Sequence, residues 1–198
     1  ASMQVSTTTG FLYCVNFNLH GSMKPSTVSV VDPVTMTEIT KITTGSMPHG
    51  SRISPDGLYQ YSVAMMSGEL FEIDALGLEV SRTLDLESKM MKKDGMKSMD
   101  GMKSMDGMKS MDGMKHSLVK PTWVIPHPKQ NLAYIAGNGS DEVIEVNLDA
   151  WEVSDRFKTG KGPYNLEISP DGKLLIGTIK SEGKTAIWNL EDKKLLGE

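Results

Sequence analysis

Prolines in this chain recur on a fixed ruler, and each is followed at a constant distance by an Asp or Asn. Pro48, Pro121 and Pro163 are each followed seven residues later by another proline, at Pro55, Pro128 and Pro170. Twenty-six residues after each leading proline, an Asp or Asn closes a run of alternating apolar residues. These are Asp74 in Phe71-Glu72-Ile73-Asp74, Asn147 in Ile144-Glu145-Val146-Asn147 and Asn189 in Ala186-Ile187-Trp188-Asn189. Asp32 closes the same kind of run in Val28-Ser29-Val30-Val31-Asp32. Sixteen residues then lead to the next proline, from Asp32 to Pro48 and from Asn147 to Pro163, so the unit is 42 residues. Self-similarity at one fixed period is the sequence signature of a repeat architecture.

Each unit reads as four short strands. In the second, strands are expected near 50–54, 58–64, 70–74 and 80–86. Val143-Ile144-Glu145-Val146 shows the alternation of a half-buried strand. Ser54-Pro55-Asp56-Gly57 returns as Ser169-Pro170-Asp171-Gly172 between the first two strands. Asp-Gly there signals a tight hairpin, because glycine accepts positive φ. The Asp or Asn ending the third strand can bond its own backbone and open the next turn. Ser6 to Gly10 occupies the Ser-Pro-Asp-Gly place in the first unit, so the repeat begins at the first residue of the sequence. Four antiparallel strands about every 40 residues define a propeller blade. The fold expected is all-β: a β-propeller of four-stranded antiparallel blades, with about four 42-residue repeats. That makes a partial ring, or half of a ring completed by a second copy or a partner chain. Blades are expected at 1–47, 48–86 with 117–120, 121–162 and 163–198. Uncovered blade edges expose strand hydrogen-bonding groups and call for a partner.

The phrases Met47-Pro48-His49-Gly50-Ser51-Arg52-Ile53-Ser54-Pro55-Asp56-Gly57 and Gly162-Pro163-Tyr164-Asn165-Leu166-Glu167-Ile168-Ser169-Pro170-Asp171-Gly172 carry a resemblance. They are similar to the YVTN-type repeats of the lactonase-like propeller superfamily. The resemblance implies rings of seven or so blades in mostly exported proteins, hence a periplasmic or secreted location. It also implies kinship with propellers of haem-containing nitrite reductases and of nitrous oxide reductase. Pro-His-Gly is a frequent opening of the innermost strand in that family, which gives His49 a structural reading beside any ligand role.

One junction breaks the period. From Asp74 to Pro121 the gap is 47 residues instead of sixteen, so about 31 are inserted, spanning 87–116. Inside it, Gly-Met-Lys-Ser-Met-Asp repeats without substitution from Gly95 through Met114. Of the chain's 15 methionines, nine lie here: Met90, Met91, Met96, Met99, Met102, Met105, Met108, Met111 and Met114. Thioether sulfur is a soft ligand that selects Cu(I) and similar ions. Strand alternation places the insertion on the same end of the ring as Met47, His49, Met65, Met66, His20, Met23 and His116. Met36 and His127 fall at the other end. Candidate metal ligands are therefore the nine insert methionines with His116, His49, Met47 and His20. The competing reading is a slippage-expanded loop, because glycine every sixth residue disfavours helix and the Lys, Ser, Asp and Gly content disfavours a packed core. Lys97, Lys103 and Lys109 repel a cation, and Asp100, Asp106 and Asp112 offset them.

Other features narrow the function. A net charge of −4 gives no polyanion-binding face, so nucleic acid is not an expected partner. No apolar run is long enough to span a bilayer. No signal-peptide pattern opens the sequence, although Ala1-Ser2 suits the start of a mature exported protein and equally an expression scar. Cys14 is the single cysteine, which removes thiolate zinc sites and dithiol chemistry; it is expected as buried core. Trp123, Trp151 and Trp188 are expected in blade packing. No nucleophile elbow, phosphate loop, metalloprotease helix or haem-attachment motif occurs, and no catalytic residue can be assigned. Three functions stay open: a non-enzymatic exported module binding Cu(I), with a copper protein as possible partner; a subunit or half of a redox enzyme sharing a cofactor with another chain; and a plain interaction scaffold without metal.

Overall fold

Four separate four-stranded antiparallel sheets follow one another along the chain. A computed structural model describes residues 2–18, 24–88 and 116–198. Blade 1 comprises β1 (Met3–Val5), β2 (Leu12–Val15), β3 (Pro25–Asp32) and β4 (Thr37–Ser46). Blade 2 comprises β5 (Pro48–Ile53), β6 (Tyr59–Ala64), β7 (Glu69–Asp74) and β8 (Glu79–Asp85). Blade 3 comprises β9 (Pro121–Pro126), β10 (Leu132–Gly137), β11 (Glu142–Asn147) and β12 (Glu152–Lys158). Blade 4 comprises β13 (Pro163–Ile168), β14 (Leu174–Ile179), β15 (Lys184–Asn189) and β16 (Leu195–Gly197). Within each sheet the strands pair in chain order, and the first strand of each blade lies against the first strand of the next. This is the arrangement of β-propeller blades around an axis.

The turn chemistry behind the repeat is visible in every blade. Asp32, Asp74, Asn147 and Asn189 each accept, on the side-chain oxygen, the backbone N–H two residues on, at 2.8–3.0 Å. That bond turns the chain into the fourth strand. The first turn of the blade is wider than the two-residue hairpin that Asp-Gly suggests. Gly57 donates its N–H to the Ser54 carbonyl at 2.9 Å, and pairing resumes only at Ile53 opposite Gln60. The widening follows from the serine: Ser54 Oγ donates to Asp56 Oδ1 and accepts the Tyr59 N–H, which holds the loop open. Blade 1 carries one residue more in this turn, where Gly10 reaches the Ser6 carbonyl.

Three apolar cores lie between blades, one per seam. Tyr13, Val15, Val28 and Val30 of blade 1 face Ile53, Ile73 and Ala75 of blade 2. Val63 and Leu70 of blade 2 meet Val124, Ile135 and Ile144 of blade 3. Trp188, Leu166 and Leu175 of blade 4 meet Tyr134 and Val143 of blade 3. The first seam also buries polar groups: Ser51, Gln60 and Ser62 have side-chain atoms without a protein partner among the described residues. Such groups in a dry seam are sites for ordered water.

Among the described residues, nothing covers one flank of each terminal blade. Ile176 and Ile187 pair across β14 and β15 and stand exposed on blade 4. Met3 and Val5 do the same on blade 1. Cys14 departs from its expected place in the core. Side chains alternate along β2, so Tyr13 and Val15 take the blade 2 side and Cys14 faces the open flank, half-buried.

Candidate functional site

Two neighbouring constructions occupy the end of the ring to which the sequence assigned its soft ligands. The first is the neck of the insertion. Leu86 donates its N–H to the Gly68 carbonyl at 3.0 Å as the chain leaves β8. On the return, Ser117 donates its N–H to the Met66 carbonyl at 2.9 Å. Glu87 joins the two ends directly, its Oε1 accepting the Leu118 N–H at 2.6 Å and standing 3.5 Å from the Val119 nitrogen. The loop that receives the neck is itself tied down. Met65 N–H reaches the Met47 carbonyl at 2.9 Å, and Met66 N–H reaches the Ser46 carbonyl at 3.1 Å. Met47 holds a left-handed φ of 53°, a conformation rare for a non-glycine residue. Met47, Met65 and Met66, all half-buried, and the exposed His116 thus lie on segments joined by backbone bonds at one neck.

The second construction lies on the innermost strands. His49 of β5 bonds the Thr122 carbonyl of β9 through Nδ1 at 2.8 Å and the Tyr164 hydroxyl of β13 through Nε2 at 2.7 Å. A carbonyl only accepts, so Nδ1 carries the proton and Nε2 accepts from Tyr164. Thr122 Oγ1 completes the belt by donating to the Tyr164 carbonyl at 2.8 Å. The rings of Phe17 and Tyr164 meet the imidazole edge-on, with centroids 5.0 and 5.1 Å away. Gly50 permits this approach, since a Cβ there would stand 2.5 Å from the Thr122 oxygen. Burial holds the imidazole below its ordinary pKa; the Thr122 bond opposes this, while Lys180 adds to it. Beside the belt, Arg52 bonds Glu167 at 2.7 Å and stacks on Trp123 at 4.3 Å.

Placement of the candidate ligands is therefore uneven. Met47 and His116 lie on two of the chain segments that meet at the neck. His49 has both ring nitrogens committed, so a metal ion would have to displace the Tyr164 hydroxyl. His20 and the nine insert methionines, Met90 to Met114, lie outside the described residues, as does Met23. Among the described residues, no three His, Cys, Asp or Glu side chains cluster as a metal site. His127, at the other end, latches two blades: Nε2 donates to the Gly172 carbonyl at 3.0 Å while Nδ1 accepts the Lys129 and Gln130 N–H groups. Ser6 performs the same task between blades 1 and 2, donating to the Gly57 carbonyl at 2.6 Å. Sequence reasoning missed both latches, although they share one repeat position with Ser54 and Ser169.

Among solved structures the chain is similar to "Kuenenia stuttgartiensis Hydrazine Synthase", with a TM-score of 0.73 at 18% identity. The match covers 98% of this chain and 47% of that one, so four blades span about half of the solved chain. The likeness establishes the fold, a partial β-propeller. No family model matches the chain, and no curated protein matches it by sequence.

Proposed function

We propose that the chain is a non-catalytic binding module: a propeller segment presenting a methionine-rich loop that takes up Cu(I) or a similar soft ion. The observation that carries this reading is the neck. It fixes the two ends of the insertion to Gly68 and Met66, in a loop that also carries Met65 and is bonded to Met47, with His116 at the exit. Thioethers make few geometric demands, so ions could be bound and released to a copper-protein partner. The resemblance to exported propellers supports a periplasmic or secreted setting. The uncovered flanks of blades 1 and 4 support completion of the ring by a second copy or another chain. The likeness to a chain of a synthase favours a second reading, that of a subunit of a redox enzyme sharing a cofactor with its partner.

A Cu(I) titration against a competing chelator tests the first reading. The comparison is between the intact protein and a deletion of residues 89–115, which keeps Glu87 and His116. Loss of the tight-binding equivalents on deletion is expected; unchanged stoichiometry rejects the proposal. A coloured complex with haem or copper centres on native purification would favour the second reading.

A further inference from the structure

The seams between blades are not equivalent at the end opposite the insertion. Between blades 1 and 2 the first turns are latched by Ser6 to Gly57, and between blades 3 and 4 by His127 to Gly172. Between blades 2 and 3 the corresponding serine, Ser54, spends its hydroxyl on its own Asp56. No latch joins these two turns among the described residues. A cavity of about 510 Å³ opens there, with Asp56, Tyr59 and Tyr61 on one side and Lys129, Asn131 and Asp149 on the other. That volume falls in the range of small-molecule pockets.

The floor of this cavity carries an unspent polar group. Tyr61 lines the cavity and is 3% exposed as a whole residue. Its hydroxyl makes no hydrogen bond to a described residue and opens onto the cavity instead of being sealed from solvent. Its natural acceptor is Glu72, opposite it across β6 and β7. Glu72 is already taken, by Arg82 Nε at 2.8 Å, by Arg82 Nη2 and by Ser81 Oγ at 2.7 Å. Arg82 is spent in turn, on the Leu148 carbonyl and against the Trp151 ring. The blade 3 pair at the same repeat positions resolves differently. There Tyr134 bonds Glu145, and Lys193 bridges Glu145 and Asp155. A wider cavity of about 830 Å³ lies at that seam, but its tyrosine is engaged.

A phenol hydroxyl at the floor of an open cavity bonds water until a ligand that can replace that bond displaces it. We propose that the cavity between blades 2 and 3 binds a neutral polyhydroxylated ligand, a mono- or disaccharide, with the Tyr61 hydroxyl as its anchor. The charge pattern selects this class. Arg82 and Glu72 neutralise each other, and the rim offers the carboxylates of Asp56 and Asp149, the ammonium of Lys129 and the Asn131 amide, one N–H of which is already given to Asp149 at 2.9 Å. The rim is close to balanced, two carboxylates against one ammonium, with no charge cluster to select an ion. Sugar hydroxyls donate and accept at every position, which suits donors and acceptors in alternation. Pro55, Pro126 and Pro128 supply apolar surface for the C–H face of a ring. This site is independent of the soft-metal loop and lies at the other end of the ring.

The test is saturation-transfer NMR and calorimetry on the full chain with glucose, galactose, N-acetylglucosamine, maltose and cellobiose as probes. At least one probe is expected to bind saturably. Tyr61→Phe, which keeps the ring and the packing, should weaken it about fivefold, the value of one hydrogen bond. Asn131→Ala at the exposed rim should also weaken it, and it leaves the core untouched. Tyr134→Phe should bind as the unsubstituted protein does. Absence of saturable binding by all five probes overturns the proposal. So does binding that survives Tyr61→Phe and Asn131→Ala undiminished, or that falls equally with Tyr134→Phe.

Discussion

His49 ties three blades together, and removing it should loosen all three. In His49→Ala the Thr122 carbonyl loses its donor and the Tyr164 hydroxyl its acceptor. Each such loss in a buried setting costs about 1 kcal/mol net. The edge-on contacts with Phe17 and Tyr164 are lost as well, at roughly 0.5–1.5 kcal/mol each. The expected destabilisation is about 3 kcal/mol, a large share of the ~5–15 kcal/mol that holds a domain folded. Urea unfolding followed by tryptophan fluorescence reads this directly, since Trp123 and Trp188 both pack in the core between blades 3 and 4, beside β13. With a urea slope of ~2 kcal/mol/M, the midpoint should fall by about 1–2 M. Tyr164→Phe removes only the hydroxyl and should cost about 1 kcal/mol. An unchanged midpoint in His49→Ala, together with a fall in Cu(I) stoichiometry, would refute the keystone role and return His49 to the metal ligands.

Acidification should act through the same residue. Burial depresses the His49 pKa, so the folded protein resists its proton while the unfolded chain takes it near pH 6.5. His49 therefore contributes stability above that pH, and the contribution fades as pH falls through the depressed folded value. Urea midpoints measured at neutral and mildly acidic pH should show this slope, reduced in His49→Ala. Glu87→Ala should unfasten the insertion neck at a cost of about 1 kcal/mol, with faster hydrogen exchange at the Leu118 amide and little change at blade 4.

The blades were legible in the sequence because their punctuation is local. An Asp at the end of a strand turns the chain by bonding the N–H two residues on, and a Ser-Pro-Asp-Gly turn is closed by its own residues. Short-range chemistry of that kind survives in a linear reading. What the reading could not see is chemistry between blades. His49 finds partners 73 and 115 residues away. The pairs Tyr61–Glu72 and Tyr134–Glu145 recur at identical repeat positions, yet their hydroxyls differ in fate because an arginine follows Ser81 and an aspartate follows Ser154. Cys14 was misplaced for a related reason: alternation says which residues share a face, and only the seam says which face is covered.

The neck closed by Glu87 insulates the blades from whatever lies beyond it. Because Leu86 and Ser117 are held against the same loop, copies of the six-residue phrase can be added or lost without moving β8 or β9. Closure between fixed ends grows only logarithmically with length, about 0.6 kcal/mol for each doubling. The anchoring separates the sulfur content of the insertion from the geometry of the ring beneath it.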